Sequence, residues 1–226
     1  MSKPYVVGID IGGTNTVFGI VDARGVVLAS SSIKTRKNPT IEGYLDELHT
    51  ELTKLLEAND AVGKIHGIGI GAPNANYYTG TIESGVNLPW PTPIPLAKLV
   101  SDKFGIPVSI TNDANAAAIG EMTYGAARGL KDFIMITLGT GVGSGIVING
   151  QLVYGHDGFA GELGHIIVKR NNGRLCGCGR RGCLETYCSA TGVAQSAREF
   201  LEARASEPSL LRNICLLYTS PSPRDR

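Results

Sequence analysis

Apolar runs alternate along the chain with glycine-rich turns, and two of these units look alike. Residues 6–11 and 16–21 are rich in β-branched side chains, and Gly12-Gly13 lies between them. This pattern predicts a β-hairpin. Residues 134–138 and 142–148, joined by Gly139-Thr140-Gly141, repeat it. We therefore expect a duplicated domain with a glycine hairpin at the start of each half.

The remaining periodicity predicts a mixed α/β chain. Apolar residues recur at helical spacing over 40–57, which predicts an amphipathic helix. We expect further strands at 26–33, 65–71, 108–111 and after His165, and further helices at 95–104, 113–124 and from 189. The stretch 74–93 is rich in Asn, Gly and Pro, and loops of that length are usually functional.

The glycine turns carry candidate chemistry. Backbone N–H groups of such a turn can converge on an anion, which is how glycine turns hold phosphate. Thr14 and Asn15 follow the first turn, and Asp10 precedes it. Facing each other across a cleft, the two turns would hold one polyphosphate from both sides. An ordinary tight hairpin is the alternative interpretation of the first turn alone.

Asn112-Asp113 lies where a predicted strand ends and an alanine-rich helix begins. One interpretation of Asp113 is a helix N-cap, because Asp and Asn are favoured there. The other is a functional carboxylate at the C-terminal edge of a parallel strand, where open α/β sheets bind ligands. A helix N-terminus favours negative charge, so both interpretations remain open.

The cysteines are clustered rather than spread as disulfide partners. Cys176, Cys178 and Cys183 lie close together with glycines between them. We expect His165 to supply the fourth ligand of a tetrahedral Cys₃His zinc site. Buried free thiols are the alternative. Cys188 is assigned to the start of the next helix, and Cys215 stands alone.

Composition limits the class of protein. The chain has 226 residues, 42% of them hydrophobic and 18% charged, with a formal net charge of +1. This charge gives no reason to expect binding to nucleic acid or to an anionic membrane. No apolar run is long enough to span a bilayer, and the N-terminus has no signal-peptide segment. We expect a cytoplasmic protein. Residues 213–226 are Pro/Ser-rich and are expected to be a non-native or disordered tail.

These motifs together resemble the ROK family of sugar kinases and repressors, within the actin-like ATPase superfamily. The matching segments, in the order of the family, are Asp10-Ile11-Gly12-Gly13-Thr14, Asn112-Asp113, Gly139-Thr140-Gly141-Val142-Gly143, Glu162-Leu163-Gly164-His165 and Cys176-Gly177-Cys178-Gly179-Arg180-Arg181-Gly182-Cys183-Leu184-Glu185. The cysteine segment is the most specific of them. The resemblance extends from about residue 4 to residue 210.

The resemblance implies a duplicated two-lobe α/β fold of the actin-like (ribonuclease H-like) type. Its N-terminal lobe would cover residues 1–114, and a partial C-terminal lobe residues 115–212. Family members are usually longer, so we expect the C-terminal part, with much of the adenine pocket, to be missing beyond about Arg212.

By the same resemblance, the activity is transfer of a phosphoryl group from ATP to a hexose. Asp113 would be the general base that takes the proton of the C6 hydroxyl, and Asp10 would orient Mg²⁺. The residues expected to bind the nucleotide are Asp10, Gly12, Gly13, Thr14, Asn15, Gly139, Thr140 and Gly141.

The sugar site is also implied by the resemblance. Its expected residues are Gly71, Asn87, Asn112, Asp113, Glu162, His165 and Glu185. His165 would bind structural zinc through one ring nitrogen and the sugar through the other. Glucose is favoured, by resemblance to bacterial glucokinases of this family. N-acetylglucosamine, N-acetylmannosamine, fructose and allose remain alternatives, and the loop 74–90 is expected to discriminate between them.

Two other functions are set against the kinase. A sugar-sensing repressor of this family carries a helix-turn-helix segment before the first glycine turn, where this sequence has only a few residues. A non-catalytic sugar-binding module would need neither Asp113 nor the two glycine turns. A homodimer is compatible with the family, but the sequence does not give the oligomeric state.

Overall fold

The structure is a computed structural model and describes residues 4–84 and 88–213. Its strands are β1 (Tyr5–Ile11), β2 (Asn15–Asp22), β3 (Val27–Lys34), β4 (Ile65–Gly71), β5 (Ala75–Asn76), β6 (Thr81–Ile82), β7 (Val108–Thr111), β8 (Phe133–Leu138), β9 (Val142–Ile148) and β10 (Gln151–Leu152). Its α-helices are α1 (Ile41–Ala58), α2 (Leu96–Phe104), α3 (Asp113–Tyr124), α4 (Glu185–Cys188) and α5 (Ala190–Ala203). Short 3₁₀ turns cover Thr35–Lys37, Leu163–His165 and Leu210–Asn213.

A five-stranded mixed sheet has the order β3-β2-β1-β4-β7. The first three strands are antiparallel neighbours, and β1, β4 and β7 run parallel. Ile11 pairs with Thr16 across the first glycine turn, so the predicted hairpin is confirmed. The parallel register aligns Asp10, Gly71 and Thr111 in one row. Because parallel strands end at the same edge, this row lies where open α/β sheets bind ligands.

Helix α1 provides one side of the core. Its predicted amphipathic stripe is confirmed, and the buried side chains on it are Tyr44, Leu45, Leu48, Leu52 and Leu56. Each fully buried leucine contributes roughly 1.5–3 kcal/mol relative to an exposed one. Thr40 caps the helix by accepting the N–H of Gly43 through its side chain. The sheet side of this core is formed by apolar residues of β1, β2 and β4.

A second, three-stranded sheet has the order β10-β9-β8. It repeats the order β3-β2-β1, and each set begins with a strand, a glycine turn and a returning strand. The predicted repeat is therefore confirmed at the level of strand order.

The described residues form two compact units. The first comprises 4–84, 88–133 and 145–160, and the second comprises 134–144 and 161–213. The sequence analysis predicted a boundary between two lobes after residue 114, and the boundaries of the compact units lie elsewhere. The division into those two lobes stays a prediction. Residues 214–226, most of the predicted tail, lie outside the described residues. Among the described helices, none combines the length and the apolarity needed to cross a membrane.

The strand predicted after His165 is wrong. Only an isolated bridge between Ile167 and Cys183 forms there. The N–H groups of Val168 and Lys169 both donate to the carbonyl of Gly182, at 2.8 and 3.2 Å. Because two donors share one acceptor, a regular ladder cannot continue.

Candidate functional site

In the first unit, two acidic residues converge on a glycine at the edge of the large sheet. A Cβ placed on Gly71 would lie 3.6 Å from Cα of Asp113 and 4.0 Å from Oδ1 of Asp10. The absence of a side chain at Gly71 therefore leaves open the space beside both residues. Asp10, Gly71 and Asp113, which the sequence assigned to three different roles, are brought together.

Asn112 and Asp113 divide the work at the start of α3. Oδ1 of Asn112 accepts the N–H of Ala114 at 2.9 Å, so Asn112 is the N-cap. Asp113 is the first helical residue, and its Oδ1 also accepts the Ala114 N–H, at 2.8 Å. The interpretation of Asp113 as the N-cap is wrong by one residue, because Asn112 has the non-helical backbone that a cap requires. The helix N-terminus stabilises negative charge at Asp113.

The first glycine turn is closed by backbone and side-chain bonds. Gly12 N–H donates to Asn15 O at 2.9 Å, and a Cβ on Gly12 would lie 3.0 Å from that oxygen. Thr35 contributes two further bonds: its N–H donates to Thr14 O at 3.0 Å, and its hydroxyl donates to Gly12 O at 2.8 Å. The 3₁₀ turn after β3 thus holds the glycine turn in place.

A buried polar network lies behind this turn. The hydroxyl of Thr16 is 3.0 Å from the hydroxyls of Thr35 and of Tyr44. Burial raises the pKa of Tyr44, so this phenol stays neutral and available for hydrogen bonding. Tyr44 also packs on Trp90, with ring centroids 4.5 Å apart. The first turn is therefore connected through hydroxyl groups to the core helix α1.

Lys34 is a residue that the sequence analysis missed. Its Nζ donates to Oδ1 of Asn15 at 2.8 Å, which places a cation beside the first glycine turn. The two residues are opposite each other in the β2–β3 register. Lys34 could be found only from its pairing with Asn15 across the two strands. That pairing depends on the strand register, which the local sequence does not give.

In the second unit, the glycine turn is bonded to the segment that follows the cysteines. Gly139 N–H donates to Gly141 O at 3.0 Å and closes the turn. Val142 N–H donates to Oε2 of Glu185 at 2.9 Å, and Ala190 N–H donates to Gly139 O at 2.9 Å. A Cβ on Gly141 would lie only 2.4 Å from Oε2 of Glu185, so glycine permits this approach.

The predicted sugar motif packs against Val142, the first residue of β9. Glu162 precedes the 3₁₀ turn Leu163–His165, and its carbonyl accepts the N–H of His165 at 3.1 Å. A Cβ on Gly164 would lie 2.2 Å from Val142 O. Since no larger residue fits there, the motif requires glycine between Glu162 and His165.

His165, Cys176, Cys178 and Cys183 form a candidate metal centre. Their ligand atoms all lie within 4.8 Å of one another. Nδ1 of His165 is 3.5 Å from Sγ of Cys176, and Sγ of Cys178 is 3.7 Å from Sγ of Cys183. Tetrahedral zinc with Zn–S bonds of about 2.3 Å requires sulfur atoms about 3.8 Å apart. The donor set and its spacing therefore fit a zinc ion.

The three thiols have different acidities. The N–H of Arg180 donates to Cys178, and this bond chiefly lowers the pKa of Cys178 to about 6. Burial raises the pKa of Cys176 to about 12, and it also raises that of Cys183. Cys178, which is exposed, is thus the thiol most easily ionised for metal binding.

Arg174 is a second residue that the sequence did not indicate. Its guanidinium donates to the carbonyls of Thr186 and Gly192, at 2.6 and 3.0 Å, and to the carboxylate of Glu199 at 2.6 Å. It also lies over the ring of Tyr187, 4.7 Å from the centroid. Arg174 therefore connects the irregular segment before the cysteines to α4 and α5.

A cavity of about 210 Å³ lies beside these groups. It is lined by Thr140, Arg174, Leu175, Gly177, Glu185, Thr186, Ser189, Thr191, Gly192 and Gln195. Thr140 and Glu185 are the two members of this lining that the sequence selected as binding residues.

The sequence pattern of the ROK family matches residues 6–218. The chain belongs to the ROK family. This ROK chain is 41% identical over 201 residues to a glucokinase of Halalkalibacterium halodurans, an alignment covering 88% of the chain and 61% of the relative. It is also 35% identical over 196 residues to the xylose repressor of Bacillus subtilis, covering 85% of the chain and 50% of the repressor.

Solved structures agree with the ROK assignment. A crystal structure of a ROK family glucokinase from Streptomyces griseus, in complex with glucose and AMPPNP, superposes with a TM-score of 0.74 at 38% identity. The superposition covers 89% of this chain and 62% of that one. The predicted actin-like α/β fold is confirmed. The chain spans 61% of the Halalkalibacterium halodurans relative, which is less than two thirds of its length.

The predicted site residues of this ROK chain separate into two groups. The first unit holds Asp10, Gly12, Gly13, Thr14, Asn15, Gly71, Asn112 and Asp113. The second unit holds Gly139, Thr140, Gly141, Glu162, His165, Cys176, Cys178, Cys183 and Glu185. Asn87 lies outside the described residues.

Proposed function

We propose that the protein is an ATP-dependent hexose kinase that phosphorylates glucose at the C6 hydroxyl. The observation that carries the proposal is the approach of Asp10 and Asp113 to Gly71 at the C-terminal edge of the parallel strands. Identity of 41% to a glucokinase supports the choice of reaction and of glucose.

On this proposal Asp113 is the general base. Its carboxylate accepts the proton of the C6 hydroxyl while that oxygen forms a bond to the γ-phosphorus, and the bond from phosphorus to the bridging oxygen of ADP breaks. The first position of a helix suits this role, because the helix dipole stabilises the carboxylate before the transfer. Asn112, which caps α3, fixes the direction of the first helical turn of α3.

The two glycine turns and Asp10 would hold the nucleotide. Backbone N–H groups of both turns bind the phosphates, with the hydroxyls of Thr14 and Thr140 as further donors. Asp10 would orient Mg²⁺, which neutralises phosphate charge. Lys34, which is hydrogen-bonded to Asn15, would add a positive charge beside the first glycine turn.

Sugar hydroxyls would be bound by Asn112, Glu162, His165 and Glu185, with Gly71 and Asn87 nearby. Nδ1 of His165 faces Cys176, which leaves Nε2 as the atom for a sugar hydroxyl. A bound zinc ion would be held by His165 and the three clustered cysteines, and it supplies no reacting group. Its effect would be to fix the ring of His165 and the loop that carries it.

The test is an ATP-dependent phosphorylation assay over a panel of hexoses. It should use this chain and the same chain extended by the C-terminal part of its Halalkalibacterium halodurans relative. We expect glucose to be the best substrate. If N-acetylmannosamine, N-acetylglucosamine or fructose is preferred, the kinase reaction stands and glucose is wrong.

A sugar-sensing repressor is the second candidate, because the chain is 35% identical to the xylose repressor of Bacillus subtilis. A sensor would bind sugar in calorimetry but transfer no phosphate in either form of the chain. We also propose that the kinase acts in the cytoplasm. We further propose that it forms a homodimer, and light scattering would test this oligomeric state.

A further inference from the structure

We propose that the metal centre governs the affinity of the second glycine turn for nucleotide, and that Glu185 transmits this effect. The inference rests on the proposed function in one respect, which is that the turn binds the phosphates of ATP. It assigns to Glu185 a positioning role toward the nucleotide, in addition to the contact with sugar expected from the sequence.

The carboxylate of Glu185 is the direct connection. Oε2 accepts the N–H of Val142 at 2.9 Å, at the residue where the turn enters β9. Oε1 lies 3.8 Å from Sγ of Cys176, a residue of the metal centre. One carboxylate thus touches the glycine turn with one oxygen and a metal ligand with the other.

A second bond holds the opposite end of the turn. Ala190 N–H donates to Gly139 O at 2.9 Å. Glu185 and Ala190 belong to one short segment, α4 and the start of α5, so this segment holds both ends of the turn. The conformation of the segment therefore sets the conformation of the turn.

This segment is in turn anchored on the metal centre. The N–H and the hydroxyl of Thr186 both donate to the carbonyl of Cys183, at 3.1 and 2.8 Å. Leu184 N–H donates to Ile166 O at 2.9 Å, next to His165. The position of α4 is thus tied to Cys183, which is one of the four ligand residues, and to Ile166, the neighbour of another.

The loop that carries His165 also contacts Val142, at its carbonyl oxygen. Gly164 approaches Val142 so closely that a Cβ there would lie 2.2 Å from Val142 O. Val142 therefore donates its N–H to Glu185, and its carbonyl packs closely against Gly164 in the loop of His165. Both holding elements include or touch metal ligands.

The energetic consequence follows from preorganisation. A metal ion links four side chains from two separate stretches and so restricts the loops that carry them. A turn already fixed in its binding conformation loses less entropy when phosphate binds. Metal binding and nucleotide binding should consequently favour each other.

The experiment measures AMPPNP binding by calorimetry, without sugar, in zinc-loaded and chelator-treated protein. We expect chelation to weaken binding at least about fivefold, within the range typical of coupled sites. Glu185→Ala in the zinc-loaded protein should weaken it comparably, and chelation should add less than about twofold in that variant. Glu207→Ala, which removes an exposed carboxylate of the same unit, is the matched control and should behave as wild type.

Amide exchange of Val142 and Ala190, followed by NMR, provides a second measurement that needs no nucleotide. Zinc should slow both amides, and Glu185→Ala should release Val142 while zinc stoichiometry stays at one. If AMPPNP binds equally with and without zinc, or binds Glu185→Ala as it binds wild type, the inference is wrong and the kinase proposal stands. If neither this chain nor the extended chain binds AMPPNP when loaded with zinc, the proposed nucleotide site itself is wrong.

Discussion

The hydroxyl of Thr35 donates a 2.8 Å hydrogen bond to the carbonyl oxygen of Gly12. A fully buried side chain thereby fixes the first glycine turn from behind, and the same hydroxyl lies 3.0 Å from Thr16. The conformation of the turn is therefore supported by a side chain that is buried away from any nucleotide.

Replacement of Thr35 should separate this support from packing. Thr35→Val keeps the volume but leaves Gly12 O and the Thr16–Tyr44 pair with one partner fewer. We expect a loss of about 1–3 kcal/mol in the free energy of unfolding, the usual cost of an unpaired buried polar group. Urea denaturation measures it, and Thr35→Ser, which keeps the hydroxyl, is the control. Equal stability of the Val variant and wild type would contradict this role.

Gly71 should tolerate only a small side chain. A Cβ would meet Ala116, Asp113 and Asp10 at 3.4, 3.6 and 4.0 Å, which is ordinary van der Waals contact. Gly71→Ala should therefore fold with little loss, whereas Gly71→Leu should displace the start of α3 and lower kcat more than it raises KM. Steady-state kinetics of the two variants test this. A Leu variant with wild-type kcat would show that the space beside Asp113 is not used.

Cys178 should be the first thiol to be alkylated in zinc-stripped protein. Its pKa is lowered to about 6, chiefly by the N–H of Arg180, whereas burial raises that of Cys176 to about 12. The thiolate is the reactive form, so labelling of Cys178 by iodoacetamide should rise through roughly pH 6, well below an ordinary thiol at about 8.5. Peptide mass spectrometry at a series of pH values measures it. Added zinc should protect Cys178, and preferential labelling of Cys176 would contradict the assignment.

Lys34 should contribute to nucleotide affinity by its charge. Lys34→Met keeps the apolar stem and removes the ammonium group beside Asn15. We expect AMPPNP binding to weaken several-fold, with a smaller difference at high salt because exposed charges are screened. Lys34→Arg should retain most of the affinity. The idea fails if Met and wild type bind alike at low salt.

Much of the fold follows from local patterns. The stripe of α1 and the glycine hairpins depend on periodicity and on residues adjacent in sequence, so they were predictable. The cluster of His165 with three cysteines was also predictable, because zinc-ligand spacing is a local signal.

The contacts that connect these parts were not predictable. Lys34 meets Asn15 through strand register, and Glu185 meets Val142 through tertiary packing. The prediction of a strand after His165 was wrong for a similar reason. The N–H groups of Val168 and Lys169 both donate to the carbonyl of Gly182, a contact that the local sequence does not indicate. Periodicity reports which face of an element is buried, but it does not report the partner of a polar group.

The role of Asp113 as the general base is tested by the kcat of the Asp113→Asn variant with glucose and ATP. The amide keeps the shape but cannot accept the proton, so kcat should fall about 10²–10⁴-fold while AMPPNP and glucose still bind. Asp102→Asn, which alters an exposed aspartate paired with Lys98 on α2, is the matched control and should retain wild-type kcat. An Asp113→Asn variant that phosphorylates glucose at the wild-type rate would show that Asp113 is not the general base.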